Sequence, residues 1–291
     1  MKLVTYELDG KVSVGVIGGD ESKIVSVAEL GYPCEDMVSF IYAIGGSLSD
    51  DLKEKIDVAK GVAFSSCKLL SPIPQPAQDV LCLGVNYKDH QDETIKAGVA
   101  YDKSKTNTIY FGKRLNRAVA PYEPIDGHFN IVDSLDYEVE LAVVIGKDAK
   151  DVALENVQEY ILGYTIVNDI SARNLQKKHQ QWYFGKSLDD FTPIGPWIVT
   201  ADEFDGIPKV GIRSYVNGEL RQNRNTGLLI NPIDFIIHEL SQGMTLKAGT
   251  IIATGTPSGV GMGMDPQVWL QSGDVVRCEI DGIGVLENSV K

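Results

Sequence analysis

The sequence is short of positive charge. Its 291 residues carry 27 Lys and Arg against 40 Asp and Glu, a formal charge of -13. A surface of that sign repels a phosphate backbone and gains nothing from an anionic lipid surface, so neither nucleic acid nor membrane is an expected partner. Cysteine is scarce too. Cys34, Cys67, Cys82 and Cys278 include no C-x-x-C pair. That excludes a zinc knuckle and a disulfide framework, and leaves reduced thiols in a cytoplasmic protein as the expectation. There is no run of 18 uncharged apolar residues to span a bilayer, and the start, MKLVTYELDGK, lacks the apolar stretch of a signal peptide.

Several catalytic signatures are also missing. No G-x-S-x-G elbow supports a serine hydrolase, and no G-x-x-x-x-G-K-[ST] supports a P-loop. His238-Glu239 begins an H-E-x-x-H pattern, but position 242 is Gln242. The four histidines, His90, His128, His179 and His238, are too dispersed for a histidine-rich zinc site. The glycines of GTPSGVGMG (255–263) precede no convincing helix, so they read as a loop rather than a dinucleotide fingerprint.

What is present is an ordinary globular composition, 43% hydrophobic and 23% charged. Residues 2–8 and 11–17 read as strands joined by the Asp9-Gly10 hairpin turn, and 23–30 continues the pattern. Segments 39–44 and 51–60 read as helices. SPIPQPAQ (71–78), with three prolines in eight residues, marks a boundary. The expected organisation is a small N-terminal α/β domain at 1–70 and a second domain at 71–291. The second domain is strand-rich: 79–86, 137–146, 160–169, 193–200, 211–218, 249–255, 274–280 and 283–290 read as strands, with helices at 88–97, 151–160 and 231–242. Strands and helices do not alternate, which disfavours a doubly wound sheet or a TIM barrel. The fold class is α+β, a β-rich roll of mixed sheets.

The most informative stretch is Leu135-Asp136-Tyr137-Glu138-Val139-Glu140-Leu141-Ala142-Val143-Val144-Ile145. Alternation puts Glu138, Glu140, Ala142 and Val144 on one face, and both faces turn apolar after Glu140, so the strand is expected to be buried on both sides. The Cα atoms of Glu138 and Glu140 lie about 6.7 Å apart, two strand steps. Buried like charges repel, and a divalent cation removes the conflict; hard oxygens suit Mg²⁺, Mn²⁺ or Ca²⁺. The alternative is a strand end whose acids face water. Asp169, ending the apolar run YTIVND, is either a helix cap or a third oxygen ligand.

These residues belong to a larger pattern. Asn86-Tyr87-x-x-His90-x-x-Glu93, Asp136-Tyr137-Glu138-x-Glu140-Leu141, Asn168-Asp169-x-Ser171-Ala172-Arg173-x-x-Gln176 and Gly185-Lys186-Ser187 occur in order. Pro193-Ile194-Gly195-Pro196-Trp197, Val216-Asn217-Gly218 and Thr254-Gly255-Thr256-Pro257-x-Gly259-Val260-Gly261 follow. Over about 80–290 the chain resembles the fumarylacetoacetate hydrolase family, in its short branch of acylpyruvate hydrolases, oxaloacetate decarboxylases and hydroxyheptadienedioate isomerases. The resemblance implies a mixed β-roll, a homodimer, and Mg²⁺ or Mn²⁺ on Glu138, Glu140 and Asp169. It implies an active-site lysine at Lys186, and substrate contacts at Tyr87, Arg173, Gln176, Gly255 and Thr256. The founding animal enzyme's additional Asp ligand corresponds to Leu83 here, so the three-carboxylate branch is the better match. Where many relatives carry Lys-Pro, this chain has Tyr110-Phe111-Gly112-Lys113-Arg114, and the long polar region 99–130 leaves that pocket wall unassigned.

His90 and Glu93 share a face at i, i+3, as an exposed helix would also allow; with the resemblance they read as a catalytic dyad. Gly98 can end their helix, and the segment beyond it can serve as a closing lid. The expected substrate is a 2-oxo or 2,4-dioxo acid. The leading expectation is hydrolysis of an acylpyruvate C–C bond through a pyruvate enolate, with water activated by His90, Lys186 beside the developing oxyanion, and loop 254–261 offering N–H groups to a carboxylate. The same enolate serves oxaloacetate decarboxylation or diene isomerisation. A non-catalytic metabolite-binding protein is the third reading.

Overall fold

The computed structural model describes residues 1–19, 21–96 and 107–291. In chain order the N-terminal elements are β1 (Lys2–Leu8), β2 (Lys11–Ile17), β3 (Lys23–Ser26), α1 (Met37–Ala43), α2 (Asp50–Val58), β4 (Val62–Ala63) and β5 (Lys68–Leu69). Then come β6 (Val80–Gly84), α3 (Lys88–Lys96), β7 (Ile109–Lys113), β8 (Leu135–Asp136), β9 (Val139–Ile145), β10 (Ile161–Asn168), β11 (Ser171–Ala172), α4 (Arg173–Lys178) and α5 (Tyr183–Lys186). The chain finishes with β12 (Ile194–Thr200), β13 (Gly211–Val216), β14 (Glu219–Asn225), α6 (Ile233–Ser241), β15 (Ile251–Ala253), β16 (Val275–Ile280) and β17 (Gly284–Ser289).

One mixed sheet of 11 strands runs β4-β3-β2-β1-β12-β10-β9-β15-β6-β7, with β5 on β1; a second, four-stranded sheet runs β14-β13-β16-β17. The pairing of β15 with β6 is parallel, and the pairings of β9 with β10 and β15 are antiparallel. This is the β-rich mixed architecture expected from the sequence. The position proposed for the domain division, residues 70 and 71, falls between β5 and β6, and the main sheet continues across it through β1 on β12.

β9 is buried along its whole length, as its two apolar faces require. Val139, Leu141 and Val143 pack with Ile212, Val276 and Ile280 of the second sheet. On the opposite face Ala142 and Val144 join a core with Phe40 and Ile41 of α1 and Leu52 and Ile56 of α2. Each such buried aliphatic side chain contributes about 1.5–3 kcal/mol. A strand clamped between two cores cannot shift register, because one step would turn every side chain onto the wrong face. That rigidity fixes the acids at its start.

Three local expectations changed. The helix expected over 151–160 is a 3₁₀ segment, Leu154–Tyr160, burying only Val157; it offers no apolar stripe to hold an α-helix. β14, ELRQNRN, was unmarked because it has no apolar alternation; the Asn217-Gly218 hairpin, with φ of 51° and 80°, places it. β7 lies inside the polar region 99–130, where no strand was expected. The expected helix end at Gly98 and the segment beyond it through 106 lie outside the described residues. No helix of the described residues is long and apolar enough to cross a membrane.

Candidate active site

The antiparallel register assembles the acids. Glu140 of β9 pairs with Val167 of β10, and Val139 with Asn168. The next residue, Asp169, therefore arrives beside Glu138, and its N–H donates to the Glu138 carbonyl at 2.9 Å. The Asn168 side-chain oxygen accepts from the Glu138 N–H at 3.1 Å. Carboxylate oxygens of Glu138, Glu140 and Asp169 come within 4.8 Å of one another, and all three residues are buried.

Three cations answer this charge. Lys186 Nζ donates to Glu138 Oε2 and Asp169 Oδ2, both at 2.7 Å. Lys113 Nζ donates to Asp169 Oδ1 at 2.5 Å and to the Ile170 carbonyl at 3.0 Å. Arg173 Nη2 donates to Glu138 Oε1 at 2.5 Å. Burial alone would raise the Glu138 pKa, but Lys186 and Arg173 outweigh it and hold the carboxyl far below its usual range. Burial pushes Glu140 well above that range, and the neighbouring Asp169 and Glu138 charges push it further. Its oxygen Oε2 accepts the Gly255 N–H at 2.8 Å. Lys186 is raised against its burial by Asp169 and Glu138, whereas burial lowers Lys113 despite Asp169.

α3 brings the dyad to the same place. His90 Nδ1 lies 2.8 Å from Glu93 Oε2, and Glu93 Oε1 accepts the Gly259 N–H at 3.0 Å. Position 263 must be glycine for this fit, since a Cβ there would come 1.9 Å from Glu93 Oε1. Asp89 anchors the start of the helix, accepting from Ser258 Oγ at 2.7 Å and from Arg224.

This network borders one small cavity of about 20 Å³, room for roughly one water. His90, Glu138, Glu140, Arg173, Lys186 and Thr256 form its polar wall, and Gln176 adds to it. Leu83, Phe111, Trp182 and Met262 close the apolar side. Trp182 packs directly on Gly84, where a Cβ would meet its ring at 2.4 Å. Its ring meets Phe111 edge-on at 5.3 Å, and Lys186 Nζ lies 5.3 Å from the Phe111 centroid. Val85, also on the wall, holds a φ of 57°, a strained value for a β-branched residue. Asn86 pins this turn: its side chain donates to the carbonyls of Asn231 at 3.1 Å and Thr254 at 2.8 Å.

Ten of the eleven residues singled out by sequence thus touch this network; Gly255 does so through its N–H, which Glu140 takes. Tyr87 is fully buried beside it, its hydroxyl without a hydrogen-bond partner among the described residues. Three further N–H groups here also go to protein carboxylates: Gly259 to Glu93, Gly261 and Met262 to Asp136. Sequence reasoning gave no site role to Lys113, Asp136 or Gln222, although the first two stand in stretches it singled out. The face shared by Phe111 and Lys113 along IYFGK was the available signal for the first. Gln222, fully buried in polar β14, donates to Thr256 Oγ1 and the Pro257 carbonyl at 2.7 Å, and no pattern announced it.

Three buried carboxylates, one of them pushed toward protonation, are the donor set that a hard divalent cation satisfies, so the residues fit such an ion.

Comparison with known proteins agrees with this chemistry. The fumarylacetoacetate (FAA) hydrolase C-terminal family matches residues 79–291. The oxaloacetate tautomerase YisK of Bacillus subtilis (strain 168) is 38% identical over 100% of both chains. A mitochondrial oxaloacetate tautomerase of Xenopus laevis is 36% identical, over 100% of this chain and 90% of its own. Among solved structures, the fumarylacetoacetate hydrolase of psychrophilic Exiguobacterium antarcticum is 40% identical with a TM-score of 0.85, covering 100% of this chain and 99% of that one. Maleylpyruvate hydrolase from Sphingobium sp. SYK-6, solved with manganese(II) and pyruvate, is 27% identical with a TM-score of 0.77, covering 100% and 98%. The chain belongs to the fumarylacetoacetate hydrolase family.

Proposed function

We propose that the chain is a divalent-metal-dependent enzyme of small 2-oxo acids that works through an enolate, and that its reaction is the keto–enol tautomerisation of oxaloacetate. The observation that carries this is the meeting of a His–carboxylate pair with three acids and three cations in one buried network, of which His90, Glu138, Glu140, Arg173 and Lys186 line one small cavity. The full-length likeness to two proteins named oxaloacetate tautomerases supports the choice of substrate.

Glu138, Glu140 and Asp169 would hold the cation, which supplies positive charge to the 2-oxo and carboxylate oxygens of the substrate. The remaining work falls to side chains. His90, oriented by Glu93, takes a proton from C3; the C–H electrons form the C2–C3 double bond, and the carbonyl pair moves onto the C2 oxygen. Lys186 and Arg173 set positive charge beside that oxygen, and the same proton returned there completes the enol. Trp182 and Phe111 exclude water from the cations. The test is a spectroscopic assay of enol and keto oxaloacetate with Mg²⁺ or Mn²⁺, after subtraction of the uncatalysed rate. A protein that binds the metal yet adds nothing to that rate removes the assignment.

A second reading, hydrolysis of a 2,4-dioxo acid, is favoured by the likeness to the maleylpyruvate hydrolase. There the His90 pair would take a proton from water, the hydroxide would add to the distal carbonyl, and the C–C bond would break toward pyruvate enolate. Pyruvate released stoichiometrically from acylpyruvates, and faster than oxaloacetate is tautomerised, would favour it.

A further inference from the structure

Arg173 is held at all three of its nitrogens by three different side chains. Nε donates to Asp136 Oδ2 at 2.9 Å, Nη1 to Gln176 Oε1 at 3.0 Å, and Nη2 to Glu138 Oε1 at 2.5 Å. Asp136 is fully buried and is not among the residues bordering the cavity. Its Oδ1 accepts the N–H groups of Tyr137 at 3.0 Å and Gly261 at 2.7 Å, and Oδ2 accepts the Met262 N–H at 3.0 Å besides Arg173. Four donors fill both oxygens. The backbone between the two residues is fixed as well. Asp136 of β8 pairs with Ser171 of β11, and the Arg173 N–H donates to the Ser134 carbonyl at 2.9 Å. Gly261 permits the close approach, since a Cβ there would come 1.9 Å from the Val268 carbonyl oxygen.

From this arrangement we infer that Asp136 is a positioning residue: by holding Arg173 at Nε, it limits the guanidinium to one oxygen of Glu138. An Arg fork left unanchored grips a carboxylate through two parallel hydrogen bonds. Glu138 would then be neutralised by Arg173, at the expense of a cation and of Lys186, which uses Oε2. The same carboxylate ties Met262, also on the cavity wall, to this geometry. Asp136 does not line the cavity, and the side chain through which it reaches Glu138 is Arg173. The inference rests on the reading of Glu138 as a ligand in the proposed function.

The test is a double-mutant cycle with Asp136→Asn and Arg173→Lys, read by calorimetric Mn²⁺ affinity and by kcat/KM for oxaloacetate. Asp136→Asn keeps the shape and can still accept the Tyr137 and Gly261 N–H groups, but turns an amide donor toward Arg173 and the Met262 N–H, which share Oδ2. Mn²⁺ affinity should fall about 10–100-fold, the usual scale for a group that orients a ligand. Arg173→Lys keeps the charge but cannot span Asp136 and Glu138, and combining it with Asp136→Asn should add little. Additive losses, or a folded Asp136→Asn protein with wild-type Mn²⁺ affinity, overturn the inference. If Asp136→Asn does not fold, Arg173→Lys alone decides, and unchanged Mn²⁺ affinity there is equally fatal. A non-additive Mn²⁺ cycle without oxaloacetate turnover sinks the functional reading and leaves this inference standing. A wild type that takes up no Mn²⁺ overturns both.

Discussion

Lys113 Nζ and Asp169 Oδ1 lie 2.5 Å apart with neither side chain reaching solvent. Asp169 is at the same time gripped by Lys186. Removing one member of a buried ion pair leaves the other charge desolvated and costs about 3–5 kcal/mol when no further partner remains. Here Lys186 remains, so Lys113→Met should destabilise the metal-free protein by less than that range. It also leaves more negative charge for a cation to offset. Saturating Mg²⁺ or Mn²⁺ should therefore raise the melting temperature of Lys113→Met by more than it raises that of the wild type. Equal metal-induced shifts in the two proteins would contradict this account of the pair.

Glu140 sets a pH dependence. Its folded pKa is raised above the ordinary carboxylate value by burial and then by Asp169 and Glu138. Between the ordinary and the raised value the folded metal-free protein carries a proton that the unfolded chain has lost. The associated stability is complete below the unfolded pKa and declines as pH rises through the folded one. A cation needs the ionised carboxylate and must displace that proton, so metal affinity should climb with pH over the same window. Calorimetry in buffers of different ionisation enthalpy should show proton release on Mg²⁺ binding. Glu140→Gln should abolish both the release and most of the affinity.

The core strand was legible because it is apolar on both faces after Glu140, which places residues 141–145 between two cores. The pattern left open whether the acids at its start face water, and the resemblance favoured turning them inward. The His90–Glu93 pair was legible only through the resemblance, since its i, i+3 spacing also fits an exposed helix. Lys113 was marked only by the face it shares with Phe111 in a short run inside a polar region, and the pairing of β7 with β6 is what turns it inward. Asp136 and Gln222 act through partners more than thirty residues away, so no spacing in the chain could announce them.

Gly263 tests whether the dyad works as a pair. A methyl group at 263 would collide with the far end of Glu93, a flexible side chain that can move aside. Gly263→Ala should therefore change the melting temperature little while breaking the 2.8 Å contact between His90 and Glu93. Activity should drop to the level of Glu93→Gln, and adding Glu93→Gln to Gly263→Ala should lower it no further. A Gly263→Ala enzyme as active as the wild type would show that Glu93 does not need this position.

The last prediction separates the reactions that one enolate can serve. Tautomerisation needs a group to carry a proton between C3 and oxygen, and hydrolysis needs a group to take one from water. Decarboxylation needs neither, since CO₂ leaves with its bond electrons passing to the enolate. His90, the histidine on the cavity wall, is the group assigned to the proton. His90→Ala should therefore depress tautomerisation and any acylpyruvate hydrolysis by about 10²–10⁴-fold, the usual scale for general acid–base catalysis. Release of CO₂ from oxaloacetate, where it occurs, should fall less. Asp169→Ala should damage all three, because it removes a carboxylate from the site proposed to hold the cation that each of them shares. The comparison belongs in kcat/KM, with metal occupancy checked for every variant, so that lost binding is not read as lost chemistry. Near wild-type tautomerisation by a metal-loaded His90→Ala enzyme would reassign the proton to another group, with Lys113 and Lys186 the next to be tested.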